Sequence, residues 1–195
     1  MLSQPLTALE VPAQIYRLAN GLTVIHQYLP ATPVVVVDVW VRAGAIVEPE
    51  QWSGMAHFLE HMIFKGTELL PAGMFDSVIE SRGGVSNAAT IHDYAHFFIA
   101  TAAQYLDESL PALADLLLHP TIPDEEFVRE RDVVLEEIRS CYDNPDWLGF
   151  QALVENVYQC HPYGRPILGT ELQLNERSPQ ESRSFHAGNY QPEKR

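Results

Sequence analysis

Short segments with the character of β-strands dominate the first half of the chain. Residues 14–17 and 22–27 flank Asn20-Gly21, a dipeptide typical of two-residue hairpin turns. Residues 34–42 are β-branched and almost entirely apolar, which predicts a buried central strand. Residues 85–100 also favour an extended chain, with an irregular start at the preceding glycines. The pattern therefore predicts a hairpin and further strands that follow it.

Apolar residues three and four positions apart predict helices elsewhere. Ser53 is placed to cap the N-terminus of the first helix, and Gly66 to end it at the C′ position. Leu106, Leu110, Leu113 and Leu117 share one stripe of a later helix and are expected to face a hydrophobic core. The predicted helices cover residues 54–65, 71–82, 106–118, 123–144, 146–158 and 178–187.

The balance of charge limits the classes of partner. The chain has 195 residues, enough for one domain with a full core, and a formal net charge of −14. Nucleic acids and anionic membrane surfaces bind clustered Lys and Arg, so this balance argues against both. An acidic surface would steer basic peptides toward the protein, although solubility alone would also explain the charge.

Features of cellular location point to the cytoplasm. The longest apolar run, around residues 34–41, is interrupted by Asp38 and is too short to span a bilayer. The N-terminal residues lack the basic and apolar regions of a signal peptide. Cys141 and Cys160 form neither a C-x-x-C motif nor a zinc-ribbon spacing. Two free thiols in a reducing compartment are therefore expected.

Candidate chemistry begins with His57, Glu60 and His61, which form the motif H-x-x-E-H. On a helix, residues four apart are offset by about 40° around the axis and about 6 Å along it, so both imidazoles can reach one metal ion. Glu60 lies on the neighbouring strip and can reach a water molecule beside that ion. The order matches the inverzincin motif of metallopeptidases. The alternative for the histidine pair alone is two solvated or core side chains.

A third ligand is sought in the acidic helical segment around residues 125–138. Glu130 and Glu137 are seven positions apart and share one face of a helix, offset by about 20°. The alternative is a solvated acidic face, as in most Glu-rich helices. The spacing within this segment does not decide between the two.

Several ordered motifs resemble the family of zinc metallopeptidases that contains pitrilysin, insulinase and the mitochondrial processing peptidase. The resemblance implies that the third ligand is a Glu some 75 residues beyond the second His, which is Glu137 here. Glu136 competes by spacing alone, but Glu137 precedes an apolar residue, Ile138, as the family's ligand does. Glu130 falls on the family's supporting carboxylate. The matching segments are residues 20–24, 41–44, 54–67, 84–90 and 130–138.

The resemblance also implies a fold. We expect an α+β domain with a mixed, largely antiparallel sheet and helices packed mainly on one face. Residues 1–195 would form a single N-terminal metallopeptidase domain, and the strand that completes the family's sheet would be missing. The second half of the family architecture has no counterpart in the sequence. The chain is therefore expected to be truncated or to rely on a C-terminal half or a second subunit.

The function implied is that of a zinc-dependent endopeptidase with one Zn²⁺ per chain. His57, His61 and Glu137 would hold the metal, with Glu60 as general base and Glu130 as supporting carboxylate. The resemblance places Asn87, Ala88 and Ala89 on an exposed edge to which a peptide substrate adds as a strand.

Two alternatives stay open. The first is a non-catalytic or partner-dependent subunit of the same fold. The second is a small-molecule metal lyase of the S-ribosylhomocysteine lyase type, which also carries H-x-x-E-H but uses a Cys ligand.

Three further histidines are interpreted as structural. His92 and His96 also lie four positions apart, but in an extended segment that spacing separates them by roughly 13 Å, too far for one ion. They are expected to be ordinary strand histidines. His161 lies among prolines and a glycine, which indicates a packed turn.

Overall fold

The computed structural model describes residues 12–192, which contain five strands and seven α-helices joined by loops and short 3₁₀ turns. The N-terminal residues on which the signal-peptide argument rests lie outside this range. The strands are β1 (Ala13–Arg17), β2 (Thr23–Gln27), β3 (Val34–Val41), β4 (Val85–Thr90) and β5 (Ala95–Ala102). The helices are α1 (Met55–Ile63), α2 (Met74–Glu80), α3 (Leu106–Leu118), α4 (Asp124–Tyr142), α5 (Pro145–Val157), α6 (Glu171–Glu176) and α7 (Pro179–Asn189).

The central sheet has the strand order β3-β5-β4, and both of its pairs are antiparallel. Alternation along the strands sends Val41, Phe97 and Ile99 toward the helices, where they are almost completely buried. The opposite face exposes Val36 and Trp40. Helices therefore cover one face of this sheet, and the predicted α+β fold with largely antiparallel strands is confirmed.

The predicted hairpin forms, although with a longer turn. The amide of Leu18 donates to the carbonyl of Leu22 at 2.8 Å, so the loop contains three residues instead of two. Gly21 adopts a φ of 88°, a conformation that glycine reaches without strain. All ten strand residues of β1 and β2 are exposed, which leaves the hairpin with little support from the core.

The single extended segment predicted for residues 85–100 is instead two antiparallel strands. The amide of Ile91 donates to the carbonyl of Tyr94 at 2.9 Å and closes a turn through His92 and Asp93. Asp commonly starts or stabilises such turns, and this signal was overlooked. His92 therefore lies in a turn, whereas His96 lies in β5 as predicted.

Helix α1 is the centre of the core. Met55, Phe58, Leu59 and Met62 have no exposed surface, and the ring of Phe58 packs edge-on against Phe127 of α4. Helices α4 and α7 and strands β4 and β5 all contact α1. The helix is thus held from several sides, which restricts where its polar residues can point.

Other helix predictions are adjusted at their ends. Helix α2 begins at Met74, not at residue 71, and Gly66 lies two positions beyond the C-cap Phe64. In α3 the buried leucines are Leu113, Leu116 and Leu117, whereas Leu110 is 43% exposed. Helix α6 was not predicted. None of the described helices is long and apolar enough to cross a bilayer.

Candidate metal centre

Two imidazoles of α1 face a common cleft. The ring centroids of His57 and His61 are 4.7 Å apart, as expected for residues one helical turn apart. His57 is 8% exposed. Because the other sides of α1 carry buried core residues, the strip with His57 and His61 is the part of the helix that faces the cleft. The two histidines of the motif therefore lie next to each other on one face of α1, as helical spacing predicts.

Helix α4 brings a carboxylate to both rings. Nε2 of His57 lies 3.6 Å from Oε1 of Glu137, and Nε2 of His61 lies 3.6 Å from Oε2. One ligand atom from each residue lies within 4.8 Å of the other two, and these three form the one such group of His, Cys, Asp and Glu found among residues 12–192. Ligands bound tetrahedrally to zinc at 2.0–2.2 Å are separated by about 3.3 Å, so the group fits this ion with small adjustments.

The neighbouring Glu136 points elsewhere. Its side chain is 73% exposed and pairs with Arg139, one turn along the same helix. Adjacent helical residues are separated by about 100° around the axis, so both carboxylates cannot face the imidazoles. The structure places Glu137, and not Glu136, beside the histidines.

Burial leaves His57 neutral. Removal from water, and then the nearby charge of His61, lowers its pKa from 6.5 to about 3. Nδ1 of His57 has no hydrogen-bond partner within the described residues. A neutral imidazole has a lone pair to offer, which is the form that binds a metal.

The ring of His61 is oriented by a second carboxylate. Oε1 of Glu130 lies 2.8 Å from Nδ1 of His61, and Oε2 lies 2.5 Å from Nζ of Lys65. A carboxylate only accepts hydrogen bonds, so Nδ1 donates and Nε2 is left toward Glu137. Glu130 is 6% exposed. It lies seven residues before Glu137 in α4, on the same face of that helix. It therefore supports a candidate ligand without joining the group.

The charges of this pair stabilise each other. Burial opposes the charge of His61, but the hydrogen bond and charge of Glu130, with that of Glu137, outweigh it and raise its pKa. Burial likewise acts to raise the pKa of Glu130, but its contacts with His61 and Lys65 lower it overall. Glu130 is thus held as a carboxylate.

Glu60 lines the same cleft and lies outside the group of three. Burial raises its pKa, and the hydrogen bond from Thr90 partly opposes that effect. The hydroxyl of Thr90 donates to Oε2 at 2.5 Å. A partly desolvated carboxylate with a raised pKa is a stronger proton acceptor than one in water.

The cleft has a volume of about 390 Å³. Besides the candidate residues of the helices, its walls are Ala88, Ala89, Thr90, Ile167 and Leu168. Asn87 instead lines an adjoining cleft of about 290 Å³, with Phe64, Lys65 and Glu130 among its walls. Of the three predicted substrate residues, two therefore border the main cleft and the third borders its neighbour.

Sequence reasoning missed the wall formed by Ile167 and Leu168. Their loop is anchored by Arg165, which donates to the carbonyl of Ala45 at 2.9 Å. The loop also packs so closely that a side chain on Gly169 would meet the carbonyl of Ser53. Nothing in the periodicity of the loop signals this position, because the contacts join residues more than one hundred positions apart.

Glu48 was also missed. Ser53 was predicted to cap α1, but the N-cap is Gly54, and the carboxylate of Glu48 performs the capping. Its Oε2 accepts from the amide of Gly54 at 3.0 Å, and its Oε1 accepts from the amide of Ala56 at 2.6 Å. Glu48 is 5% exposed. A buried carboxylate thus holds the turn that begins just before His57.

The buried Glu48 predicts a dependence of stability on pH. Burial raises its pKa from 4.5 to about 7, although the two amides and Arg177 oppose the rise. The folded chain therefore retains a proton that the unfolded chain releases. This contribution is complete below pH 4.5 and is lost as the pH rises through about 7, at a cost of up to about 3 kcal/mol.

Glu48→Gln removes this titration. Urea unfolding of the metal-free wild type and variant at about pH 5 and about pH 8 isolates the contribution, because other titrating groups cancel in the difference. The stability of the wild type relative to the variant should fall between the two pH values. An equal difference at both would contradict the prediction.

Comparison with known proteins assigns a family. Residues 23–171 match the model of the insulinase family, peptidase family M16. A zinc protease from Rickettsia felis, described as uncharacterized, is 33% identical over 171 residues, which are 88% of this chain and 42% of that protein. The chain thus spans about two fifths of the length of such relatives.

Solved structures agree. A protease from Helicobacter pylori superposes with a TM-score of 0.89 at 36% identity, over 94% of this chain and 44% of that one. An M16 domain from Pseudomonas fluorescens described as inactive has the same fold, with a TM-score of 0.84 at 20% identity over 90% of this chain and 43% of that one. The chain belongs to the insulinase family of peptidases, family M16.

Proposed function

We propose that this chain is the catalytic part of a zinc-dependent endopeptidase that cleaves peptides or small unfolded proteins bound as an extended strand. The observation that carries the proposal is the convergence of His57, His61 and Glu137 within 4.8 Å, with Glu60 on the same cleft. Relatives named zinc proteases support it. No cysteine joins the group among the described residues, whereas a lyase site of this type would use a Cys ligand.

His57, His61 and Glu137 would bind one zinc ion through two nitrogens and a carboxylate oxygen. When bound, zinc lowers the pKa of a coordinated water toward 7 and polarises the scissile carbonyl. Glu130 would keep the tautomer and orientation of His61 suited to this role.

Glu60 is proposed as the general base. Its carboxylate would take a proton from the water as the water oxygen bonds to the scissile carbonyl carbon, and would then pass that proton to the nitrogen of the leaving amine as the C–N bond breaks. Burial places its pKa above the ordinary value, which suits both steps. The hydrogen bond from Thr90 leaves Oε1 without a donor among residues 12–192, and this oxygen would face the water.

The substrate is proposed to add to the free edge of β4, which pairs with β5 alone within the described residues. Two hydrogen bonds indicate which residues face that edge. The amide of Ile91 points along the hairpin to Tyr94, whereas the amide of Ala88 donates to its neighbour's side chain, Oδ1 of Asn87, at 2.9 Å. Backbone groups alternate between the two edges of a strand.

Ser86, Ala88 and Thr90 therefore present their backbone groups to the free edge. Asn87 and Ala89 direct theirs toward β5. Of the three residues predicted to bind substrate, Ala88 is the one whose backbone faces the free edge, and a pairing peptide would replace Oδ1 of Asn87 as the acceptor of its amide. Asn87 would act through its side chain. Recognition through backbone groups favours extended peptides with little sequence preference.

Exposed apolar surface supports a partner. The outer face of the sheet exposes Val34, Val36 and Trp40, and α5 has no buried residue while exposing Phe150 and Leu153. Exposed apolar residues grouped on one strand face or one helix commonly mark an interaction site. Since relatives are more than twice as long, a C-terminal half or second subunit is proposed to cover part of it and to be needed for full activity.

Removal and return of the metal tests the proposal. The chain is treated with a chelator, dialysed and assayed on an unstructured fluorogenic peptide, alone and with the C-terminal half of a full-length relative. Cleavage should disappear without metal and return with about one equivalent of Zn²⁺ per chain. Absence of cleavage in both zinc-loaded samples would overturn the peptidase assignment, while cleavage only with the added half would favour the partner-dependent form.

A further inference from the structure

Thr90 is the last residue of β4 and touches two parts of the proposed site at once. Its backbone faces the free edge of the strand, while its side chain lies on the sheet face directed toward α1. We propose that Thr90 is a positioning residue that couples the pairing of a peptide on β4 to the orientation of Glu60. The inference rests on the proposed peptidase function and adds a residue to it.

The side-chain contact is specific. Oγ1 of Thr90 donates to Oε2 of Glu60 at 2.5 Å, and this is the single hydrogen bond to that carboxylate from the described residues. The two residues are thirty positions apart, so the contact depends on how β4 packs against α1. Thr90 is paired with Ala95 of β5, which has no exposed surface, so the strand is fixed at this point.

The single hydrogen bond from Thr90 is enough to fix the orientation of the Glu60 carboxylate. The terminal torsion of a Glu side chain has a broad, roughly two-fold profile, so a free carboxylate would rotate. The hydroxyl of Thr90 directs Oε2 toward the strand and leaves Oε1 toward the cleft.

Strand β4 couples the binding of a peptide to the position of Glu60. A peptide that pairs with the backbone of Thr90 restrains the residue whose hydroxyl holds Glu60. The strand would therefore set the distance between the scissile bond and the proton acceptor. Geometry of this kind matters because small displacements of catalytic groups lower rates strongly.

Thr90→Val and Thr90→Ser separate the hydroxyl from the bulk of the side chain. In the zinc-loaded chain, with the C-terminal half of a relative where cleavage needs it, Thr90→Val should lower kcat by about tenfold to a hundredfold. KM should change by less than about twofold, because the backbone edge is retained. Zinc content should stay unchanged, and Thr90→Ser should restore kcat to within about threefold, because the donor returns.

A matched substitution at the free edge of β4 should affect KM more than kcat. Ala88→Pro removes an amide hydrogen that faces outward, a substitution that edge strands tolerate. It should raise KM with a smaller change in kcat. Equal effects of Ala88→Pro and Thr90→Val on KM would indicate that Thr90 acts through general strand structure, and that outcome overturns the proposal.

A second measurement does not need cleavage. In the metal-free chain labelled with ¹³C-Glu, the carboxyl signal of Glu60 is assigned by its loss in Glu60→Gln. Thr90→Val should shift this signal, and Thr90→Ser should leave it near the wild-type position. If no form cleaves peptide, the peptidase function fails, and the carboxyl signal still decides whether Thr90 orients Glu60. An unshifted signal in Thr90→Val overturns the inference.

Discussion

Replacement of Glu60 by glutamine is expected to leave zinc bound while peptide cleavage falls by about a hundredfold to ten-thousandfold, the usual contribution of a general base. Gln has nearly the same shape, and its amide oxygen can still accept from Thr90, so the cleft should keep its form. What is lost is the ability to take a proton from the attacking water. Glu60 lies outside the group of three candidate ligands, which is why the metal should stay.

The measurement pairs kcat with zinc content determined by elemental analysis. Glu80→Gln serves as the matched control, because it makes the same chemical change at an exposed position near the end of α2. The control should cleave like the wild type. Unchanged cleavage in Glu60→Gln would remove Glu60 from its assigned role, and loss of zinc would mean that it is a ligand instead.

The second large effect is expected at Glu137. Glu137→Ala should weaken zinc binding by at least about a hundredfold, because it removes one of three ligands and not an outer partner. The side chain is 42% exposed, so the metal-free chain should fold with little change in stability. The affinity is measured by competition with a chromogenic chelator.

Glu136→Ala provides the control that the sequence itself suggests. Glu136 is adjacent, acidic and exposed, and its partner is Arg139. The control should bind zinc normally, whereas Glu130→Gln should lose about tenfold to a hundredfold through the altered support of His61. Normal zinc binding by Glu137→Ala, or its loss in Glu136→Ala, would contradict the proposed centre.

Several elements of the fold were predictable from the pattern of residues along the chain, and others were not. The hairpin at Gly21, strand β3 and the long helix α4 were predicted because alternation and helical spacing are local properties. The expectation that β3 is a buried central strand was wrong, because among the described residues β5 is the middle strand and one face of β3 is exposed. The break at His92-Asp93 was missed because the flanking residues on both sides favour an extended chain. Leu110 was placed in the core because its spacing fits the stripe, but the packing of α3 buries Leu116 in its place.

The capping of α1 illustrates a different limit. Ser53 is a good N-cap residue by type, yet the amides of Gly54 and Ala56 are taken by Glu48. A residue six to eight positions upstream reaches these amides because the intervening chain folds back in a short 3₁₀ turn, Glu50–Trp52. Local preference for serine was outweighed by a contact that the sequence pattern does not display.

The sequence by itself determined the arrangement of His57, Glu60 and His61, since helical periodicity alone puts them on adjoining strips of one helix. Spacing within the acidic segment did not decide the third candidate ligand, and Glu137 was chosen over Glu136 because of the resemblance to the family. Only the tertiary structure brought Glu137 beside the two histidines and Thr90 to Glu60. The physical reason is that such contacts join elements distant in the chain, and their positions depend on how a whole core packs instead of on spacing within one segment.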